Sequence, residues 1–204
     1  MAFSRATPVR VPREGVRLPG SSDRGSLRLS WRFKRRGTLL GGLIRTMRPK
    51  QWFKNVFVFA PLIFDEKLFQ PRYLLPTVAG FVLLCLTSGT VYIINDLADI
   101  DKDRNHPKKR HRPLAAGELS IGAARGAAVL IPLVALPLGF LLDVWLGGIL
   151  TAYLFLQIGY SFWLKNFVII DVMIVASGFL LRVAAGVPLV EAERFSPWLY
   201  VCMM

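Results

Sequence analysis

A run of acidic residues follows the second long apolar segment of the chain, and its spacing suits metal chemistry. Asp96, Asp99 and Asp103 are separated by three and four positions. If the helix of that segment continues, the three carboxylates fall within an arc of about 60°, whereas Asp101 points to the other side. Mg²⁺ prefers one or two carboxylates together with substrate phosphates. We therefore predict a magnesium site at these three residues, with the Asn95 amide as a further oxygen ligand.

The loop that follows the acidic run is strongly cationic. Six Lys and Arg residues stand between positions 102 and 112. Acidic residues for a metal beside cations for phosphate form the arrangement that a diphosphate requires. We predict that Lys109, Arg110 and Arg112 bind phosphate. The alternative is that the acids are a solvated helix end, and that the cations keep the loop in the cytoplasm and contact anionic headgroups.

Other charged residues lie in or beside the apolar segments. Asp171 and Arg182 share one helical face of the fifth segment, and an ionisable residue inside a membrane span is a functional candidate by default. We predict that both contact the substrate, although Arg182 could equally form a structural ion pair with another span. Lys54, like Arg48, heads the first segment, where either could bind phosphate or anchor the chain at the interface.

Five apolar segments must position these residues. Each approaches the roughly 20 residues that cross about 30 Å of hydrocarbon, and in lipid such segments must be helical. We predict an all-α, multi-span transmembrane bundle, with a sixth segment beginning near residue 196. The five segments are residues 43–64, 74–94, 121–142, 144–164 and 167–190.

The distribution of positive charge predicts the orientation of these spans. Of 26 Lys and Arg residues, residues 1–54 carry 14 and residues 102–112 carry 6. Two spans separate these cationic stretches, so both can lie on one side. The positive-inside rule places the N-terminus and the acidic site in the cytoplasm, and we expect a multi-pass protein of the plasma membrane.

The first 40 residues differ in composition from the rest. They contain nine Arg, with several Gly, Pro and Ser and little apolar periodicity. We predict a disordered basic tail at 1–40 and a membrane domain at 41–204. The net charge of +13 does not indicate nucleic-acid binding, because the chain has membrane-length apolar runs instead of a soluble basic face. Cys85 and Cys202 have neither disulfide nor metal spacing.

Several motifs together resemble a known family. The run N-D-x-x-D-x-x-x-D at 95–103 resembles the first aspartate-rich motif of the UbiA-type membrane prenyltransferase superfamily. The run R-P-K-Q-W-F-K-N at 48–55 is similar to the opening of its decaprenyl-phosphate phosphoribosyltransferase branch. The loop 103–117 and the stretch 160–182 resemble the same branch. In all, the resemblance covers about residues 43–200.

The resemblance implies a bundle of about nine helices, in which two aspartate-rich motifs hold Mg²⁺ and a diphosphate. For this branch it implies transfer of 5-phosphoribose from phosphoribosyl diphosphate to a polyprenyl (decaprenyl) phosphate, which feeds cell-wall arabinan precursor synthesis. Asp96, Asp99 and Asp103 would be catalytic, and Tyr160 and Lys165 would join the substrate-binding residues. The second acidic motif and the later helices are missing here, so we expect a truncated bundle.

Two other functions stay open at this point. The first is prenyl transfer from an isoprenyl diphosphate to an aromatic acceptor, as in other members of the superfamily. The second is an inactive membrane fragment without magnesium-dependent turnover. The sequence does not decide the oligomeric state.

Overall fold

The computed structural model describes residues 38–162 and 168–190, which form helices and turns without any β-strand. The predicted all-α class is confirmed. Residues 1–37 of the predicted basic tail, and the predicted sixth segment, lie outside the described residues. The side chains of residues 168–171 lie outside them as well.

The first apolar segment differs from the continuous span expected over residues 43–64. It consists of α1 (Leu39–Thr46), a long 3-10 helix over Pro49–Phe59 that we call the 3-10 segment, and α2 (Ala60–Phe64). The break falls at Arg48, whose backbone is left-handed with φ 54° and ψ 66°. Pro49 explains the break, because a proline ring disfavours the α conformation of the residue before it and supplies no N–H.

The remaining segments form helices close to the predicted ranges. Among the residues that the structure describes, four stretches are long and apolar enough to cross a membrane, and they are Pro71–Ala98, Ile121–Leu142, Val144–Phe162 and Val172–Val190. The helices in chain order are α3 (Pro71–Ala98), α4 (Ile100–Asn105), a 3-10 turn (Lys109–His111), α5 (Ile121–Leu142), α6 (Val144–Phe162), α7 (Val168–Ala184) and α8 (Val187–Val190).

Helix α3 lies at the centre of the bundle and contacts α5, α6, α8 and the 3-10 segment. Leu83 and Leu84 of α3 pack in one apolar cluster with Val58, Leu146 and Leu150. Hydroxyl groups on α3 are also buried, and they donate hydrogen bonds to carbonyls one turn earlier in the same helix. These polar side chains can lie in an apolar interior because each of the three hydroxyls has a carbonyl acceptor.

Helices α5 and α6 approach each other closely through glycines. A Cβ atom at Gly139 would lie 3.4 Å from the Gly147 Cα atom and 2.7 Å from Leu150 Cδ1. Much of the opposite side of α5 is exposed and apolar, including Leu133 and Leu141. That surface suits contact with lipid, since hydrocarbon is as apolar as the side chains themselves.

Candidate functional site

The end of α3 and the short helix α4 bring two acidic residues into the protein interior. Asp96 and Asp103 are each 2% exposed, whereas the side chain of Asp101 is 88% exposed. Asp99 lies at the junction of the two helices, where its amide donates to the Asn95 carbonyl and its carbonyl accepts from the Asp103 amide. The helical path therefore continues through the junction, and it places Asp96 and Asp103 on one side and Asp101 on the other, as predicted.

Two arginines hold the buried carboxylates. Arg112 Nη1 lies 2.5 Å from Asp103 Oδ2 and 3.1 Å from Asp96 Oδ1. Arg48 Nη2 lies 2.8 Å from the same Asp96 oxygen. Because a buried charge is stable only when it is paired and hydrogen-bonded, these arginines make the interior position of both acids possible.

The left-handed backbone at Arg48 aims its side chain at this cluster. Its guanidinium lies over the Tyr92 ring, with the carbon 4.7 Å from the ring centroid. Tyr92 is one helical turn before Asp96 on α3, so the arginine contacts two successive turns of that helix. A left-handed non-glycine residue is unfavourable, and here the ion pair and the aromatic contact oppose that cost.

The cationic loop is anchored to the bundle by its apolar residues. Leu114 and Leu119 are buried in a cluster with Met47 and Ile93. Between them the chain turns back on itself, and both the Glu118 and Leu119 amides donate to the Pro113 carbonyl. This packing holds Arg112, the residue just before the turn, against the two carboxylates.

A cavity of about 420 Å³ opens beside this cluster. Charged residues dominate its wall: four cations stand there with the carboxylate of Asp99, while Asp96 and Asp103 lie behind the two arginines. Counting all three carboxylates against the four cations leaves a net charge of about +1, which suits an anionic ligand. The wall consists of Arg48, Asn95, Ala98, Asp99, Lys102, Lys109, Arg112, Tyr160, Ser161 and Phe162.

Five of the predicted site residues line this cavity: Asn95, Asp99, Lys109, Arg112 and Tyr160. Arg110 is exposed and its Nε–H donates to its neighbour His111. Lys54 is half-buried on the 3-10 segment and is not part of the wall. Lys165 lies outside the described residues, as does the side chain of Asp171.

Arg182 belongs to a different cluster, deeper in the bundle. It is 8% exposed, and its guanidinium donates to Asn55 Oδ1 at 2.8 Å and to the Tyr153 hydroxyl at 2.7 Å. It is not part of the cavity wall, although the sequence placed it among the substrate-binding residues.

The three carboxylates among the predicted metal ligands are not equivalent. In the described part of the chain, no group of three His, Cys, Asp or Glu side chains is arranged to hold a metal by itself. Asp96 and Asp103 face Arg112, whereas Asp99 faces the cavity and has Lys102 Nζ at 3.8 Å. The helical spacing predicted a shared face, but it could not show that an arginine from the following loop lies between two of its members.

Arg48 and Lys102 both line the cavity, although neither is among the site residues that the sequence predicts. The sequence alone is compatible with Arg48 as an interface anchor or as a phosphate contact. The dipeptide Arg48-Pro49 carried a usable signal, because a proline after a charged residue in an apolar segment indicates a break in the helix. A break of that kind can direct the charged side chain of Arg48 toward the interior of the bundle.

Most of the residues at this site lie in a region that matches a known protein family. The model of the UbiA prenyltransferase family matches residues 56–204, which is more than half of the chain. The chain belongs to the UbiA prenyltransferase family. The match includes the acidic run, the cationic loop and Tyr160, while Arg48 precedes it. Together with the four apolar stretches, membership of the UbiA family identifies a membrane protein.

The chain is similar to several curated proteins, and the names of some of them state an activity. The decaprenyl-phosphate phosphoribosyltransferase of Corynebacterium glutamicum is 41% identical over 152 residues, which cover 72% of this chain and 46% of the relative. The enzyme of the same name from Mycolicibacterium smegmatis is 38% identical over 152 residues, covering 72% and 48%. The nodulation protein NoeC of Azorhizobium caulinodans is 31% identical over 147 residues, covering 68% and 45%. The chain spans about half the length of these curated relatives.

Proposed function

We propose that this protein binds phosphoribosyl diphosphate in the cavity beside Asp99 and transfers its 5-phosphoribose to a polyprenyl phosphate. The observation that carries the proposal is the composition of the cavity wall, where Arg48, Lys102, Lys109 and Arg112 surround the oxygen donors Asn95 and Asp99. The names of the relatives from Corynebacterium glutamicum and Mycolicibacterium smegmatis support this choice of substrates.

The oxygen donors fit Mg²⁺ if substrate phosphates complete the set, because magnesium is commonly bound through one or two carboxylates plus phosphate oxygens. We propose that Asp99 and Asn95 hold the ion at the cavity. Asp96 and Asp103 would add carboxylate oxygens when Arg112 turns from them toward a phosphate group. Bound magnesium would neutralise the charge that develops on the leaving diphosphate.

The protein's own residues position the donor for the transfer. The cations hold the phosphate groups of the donor in place, as positioned Arg and Lys do in phosphoryl and glycosyl chemistry. An oxygen of the acceptor phosphate forms a bond to C1 of the ribose while the bond from C1 to the diphosphate breaks. The acceptor is already an anion and needs no general base, and the exposed residues His106 and His111 lie outside the described cavity wall.

The proposed reaction takes place at the cytoplasmic face of the plasma membrane. The cationic loop and the cavity would face the cytoplasm, where a soluble donor is available, and the lipid acceptor would enter from the plasma membrane. The product, a polyprenyl-phosphoryl 5-phosphoribose, would feed the synthesis of cell-wall arabinan precursors.

A second candidate follows from the family itself, whose description is prenyl transfer. In that case the same cavity would bind an isoprenyl diphosphate, and the acceptor would be aromatic. The two candidates share the leaving group and differ in the carbon that is transferred.

The test uses membranes that contain the full chain and two radiolabelled donors, phosphoribosyl diphosphate and an isoprenyl diphosphate, with and without Mg²⁺. We expect lipid-soluble label from the first donor only, with magnesium and a polyprenyl phosphate present. Asp99→Asn should abolish the transfer, whereas Asp101→Asn, a matched change at an exposed carboxylate, should not. Label from the isoprenyl donor alone would establish the second candidate, and label from neither donor would contradict both.

A further inference from the structure

The 3-10 segment is an unusual element to find inside a membrane bundle. It covers eleven residues, Pro49–Phe59, whereas 3-10 helices longer than three or four residues are uncommon because their hydrogen bonds are poorly aligned. It also follows directly on the left-handed Arg48. Contacts with the surrounding helices must therefore stabilise it, since its local backbone preferences do not.

One polar side chain ties the 3-10 segment to the bundle. Asn55 is 1% exposed. Its Nδ2 donates to Cys85 Sγ and Ser88 Oγ on α3, both at 3.2 Å, and its Oδ1 accepts from Arg182 Nε at 2.8 Å. Both ends of the amide are thus in use, so its orientation is determined by α3 on one side and α7 on the other.

Arg182 joins three elements around this amide. Besides Asn55, its guanidinium donates to the Tyr153 hydroxyl on α6 at 2.7 Å and to the Gly178 carbonyl on its own helix at 2.7 Å. The rings of Tyr153 and Phe179 lie against it, 5.0 and 5.5 Å from the guanidinium carbon. In the described part of the chain its contacts are all with neutral groups, and they use each of its three nitrogens. The hydrogen bonds of this guanidinium are therefore made to groups of the protein.

The same segment also makes a close backbone contact just after the end of α7. A Cβ atom at Gly186 would collide with the Val58 carbonyl oxygen and lie 3.0 Å from the carbonyl carbon. Nearby, the rings of Phe57 and Phe179 meet edge to face with centroids 5.5 Å apart. The backbone of the 3-10 segment therefore lies directly on the turn between α7 and α8.

We propose that Arg182 is a positioning residue, which holds the 3-10 segment through Asn55 and thereby sets Arg48 on Asp96 at the cavity. Arg48 immediately precedes that segment as its N-cap, and its guanidinium donates to the Asp96 carboxylate at 2.8 Å. Movement of the segment would move Arg48 with it. The part of this inference that concerns donor binding rests on the proposed function, and the part that concerns the segment does not.

The first measurement is independent of any substrate. Cys85 is 4% exposed beside Asn55, and in a Cys202→Ser background it is the single remaining cysteine. Arg182→Gln should increase its labelling by N-ethylmaleimide in membranes by about tenfold, because a buried network with a charged donor is lost and the site opens more often. Arg125→Gln, a matched change at an exposed arginine of α5, should leave the labelling rate unchanged. An unchanged rate in Arg182→Gln would overturn the inference.

The second measurement asks whether the effect passes through Arg48. Binding of phosphoribosyl diphosphate with Mg²⁺ is compared in Arg182→Gln, Arg48→Gln and the double variant. We expect Arg182→Gln to weaken binding about tenfold alone and to have no further effect once Arg48 is replaced, since coupled residues are not additive. Additive losses would show that Arg182 acts without Arg48 and would overturn the positioning role.

Gly186→Ala is the variant to use if Arg182→Gln does not fold. It leaves both arginines in place but pushes the 3-10 segment from the other side, so Cys85 labelling should rise and donor binding should weaken in the same manner. Failure of the wild-type protein to bind phosphoribosyl diphosphate would contradict the proposed function, and the labelling result would still decide whether Arg182 holds the segment.

Discussion

Arg112 is the residue on which the candidate site depends most directly. It contacts both buried carboxylates, Asp96 and Asp103, and it also lines the cavity. A guanidinium in this position can exchange carboxylate oxygens for phosphate oxygens, because its fork of N–H donors matches both groups. The same side chain can therefore stabilise the protein without ligand and bind the donor when it arrives.

Replacing Arg112 should make the stability of the protein depend on magnesium. Arg112→Gln leaves Asp96 and Asp103 close together with one arginine fewer, and we expect a loss on the order of 3 kcal/mol in the free energy of unfolding. Mg²⁺ should restore part of this loss, since a divalent cation can replace the missing charge. Thermal unfolding in detergent with and without MgCl₂ measures both effects.

The control for that experiment is Arg104→Gln, which removes an exposed arginine paired with Asp101 at 3.4 Å. An exposed pair contributes little, so its unfolding temperature should scarcely change. If magnesium stabilises wild type and Arg112→Gln equally, Asp96 and Asp103 do not take up the ion.

At the scale of elements, close contacts between helices set the shape of the bundle. Glycines on α5 and α6 allow those two helices to approach, and a Cβ atom at Gly147 would collide with the Phe140 ring. Small residues permit this approach, and in lipid it is dispersion between well-packed helices that favours association. The α5–α6 pair lies against α3, the helix that leads into the acidic run.

Gly147→Ala should therefore destabilise the protein by about 1–3 kcal/mol, the usual cost of overpacking a close contact. Gly148→Ala is a matched control one position along α6, because its Cβ atom would meet nothing within 4 Å. The comparison of their unfolding temperatures in the same lipid or detergent measures the difference. Equal destabilisation by both variants would contradict the α5–α6 packing.

We propose the orientation of the membrane domain from charge and helix length together. Helix α3 runs from Pro71 to Ala98 and is long and apolar enough to cross a membrane, so its two ends would lie on opposite sides. The end with the acidic run joins the cationic loop, which the positive-inside rule assigns to the cytoplasm. The site and the loop would then face the compartment that contains phosphorylated metabolites.

Labelling of single cysteines should show this orientation. In a background without Cys85 and Cys202, Phe69→Cys, at a residue 92% exposed, should react with an impermeant maleimide from the outside of intact cells. Arg104→Cys should react only in inverted vesicles, because Arg104 lies on α4, which follows the opposite end of α3. Reaction of Arg104→Cys in intact cells would reverse the proposed topology and place the cavity outside.

The helical class, four of the apolar stretches and the face shared by Asp96 and Asp103 could all be predicted from the amino-acid sequence. Those features are local, since they depend on runs of apolar residues and on the helical repeat. The sequence alone does not determine which cations line the cavity. Lys109 and Arg110 are neighbours with similar charge, yet only Lys109 is in the wall, because the direction of each side chain depends on how the loop packs.

The roles of the arginines depend on contacts between segments that are distant in the chain. Arg112 reaches Asp96 because Leu114 and Leu119 are buried against α3, and Arg48 reaches it because the first segment breaks at Pro49. Arg182 pairs with Asn55, 127 positions away in the chain. A side chain charged enough to bind phosphate is equally able to hold helices together, and the outcome depends on partners brought together by the packing of distant segments.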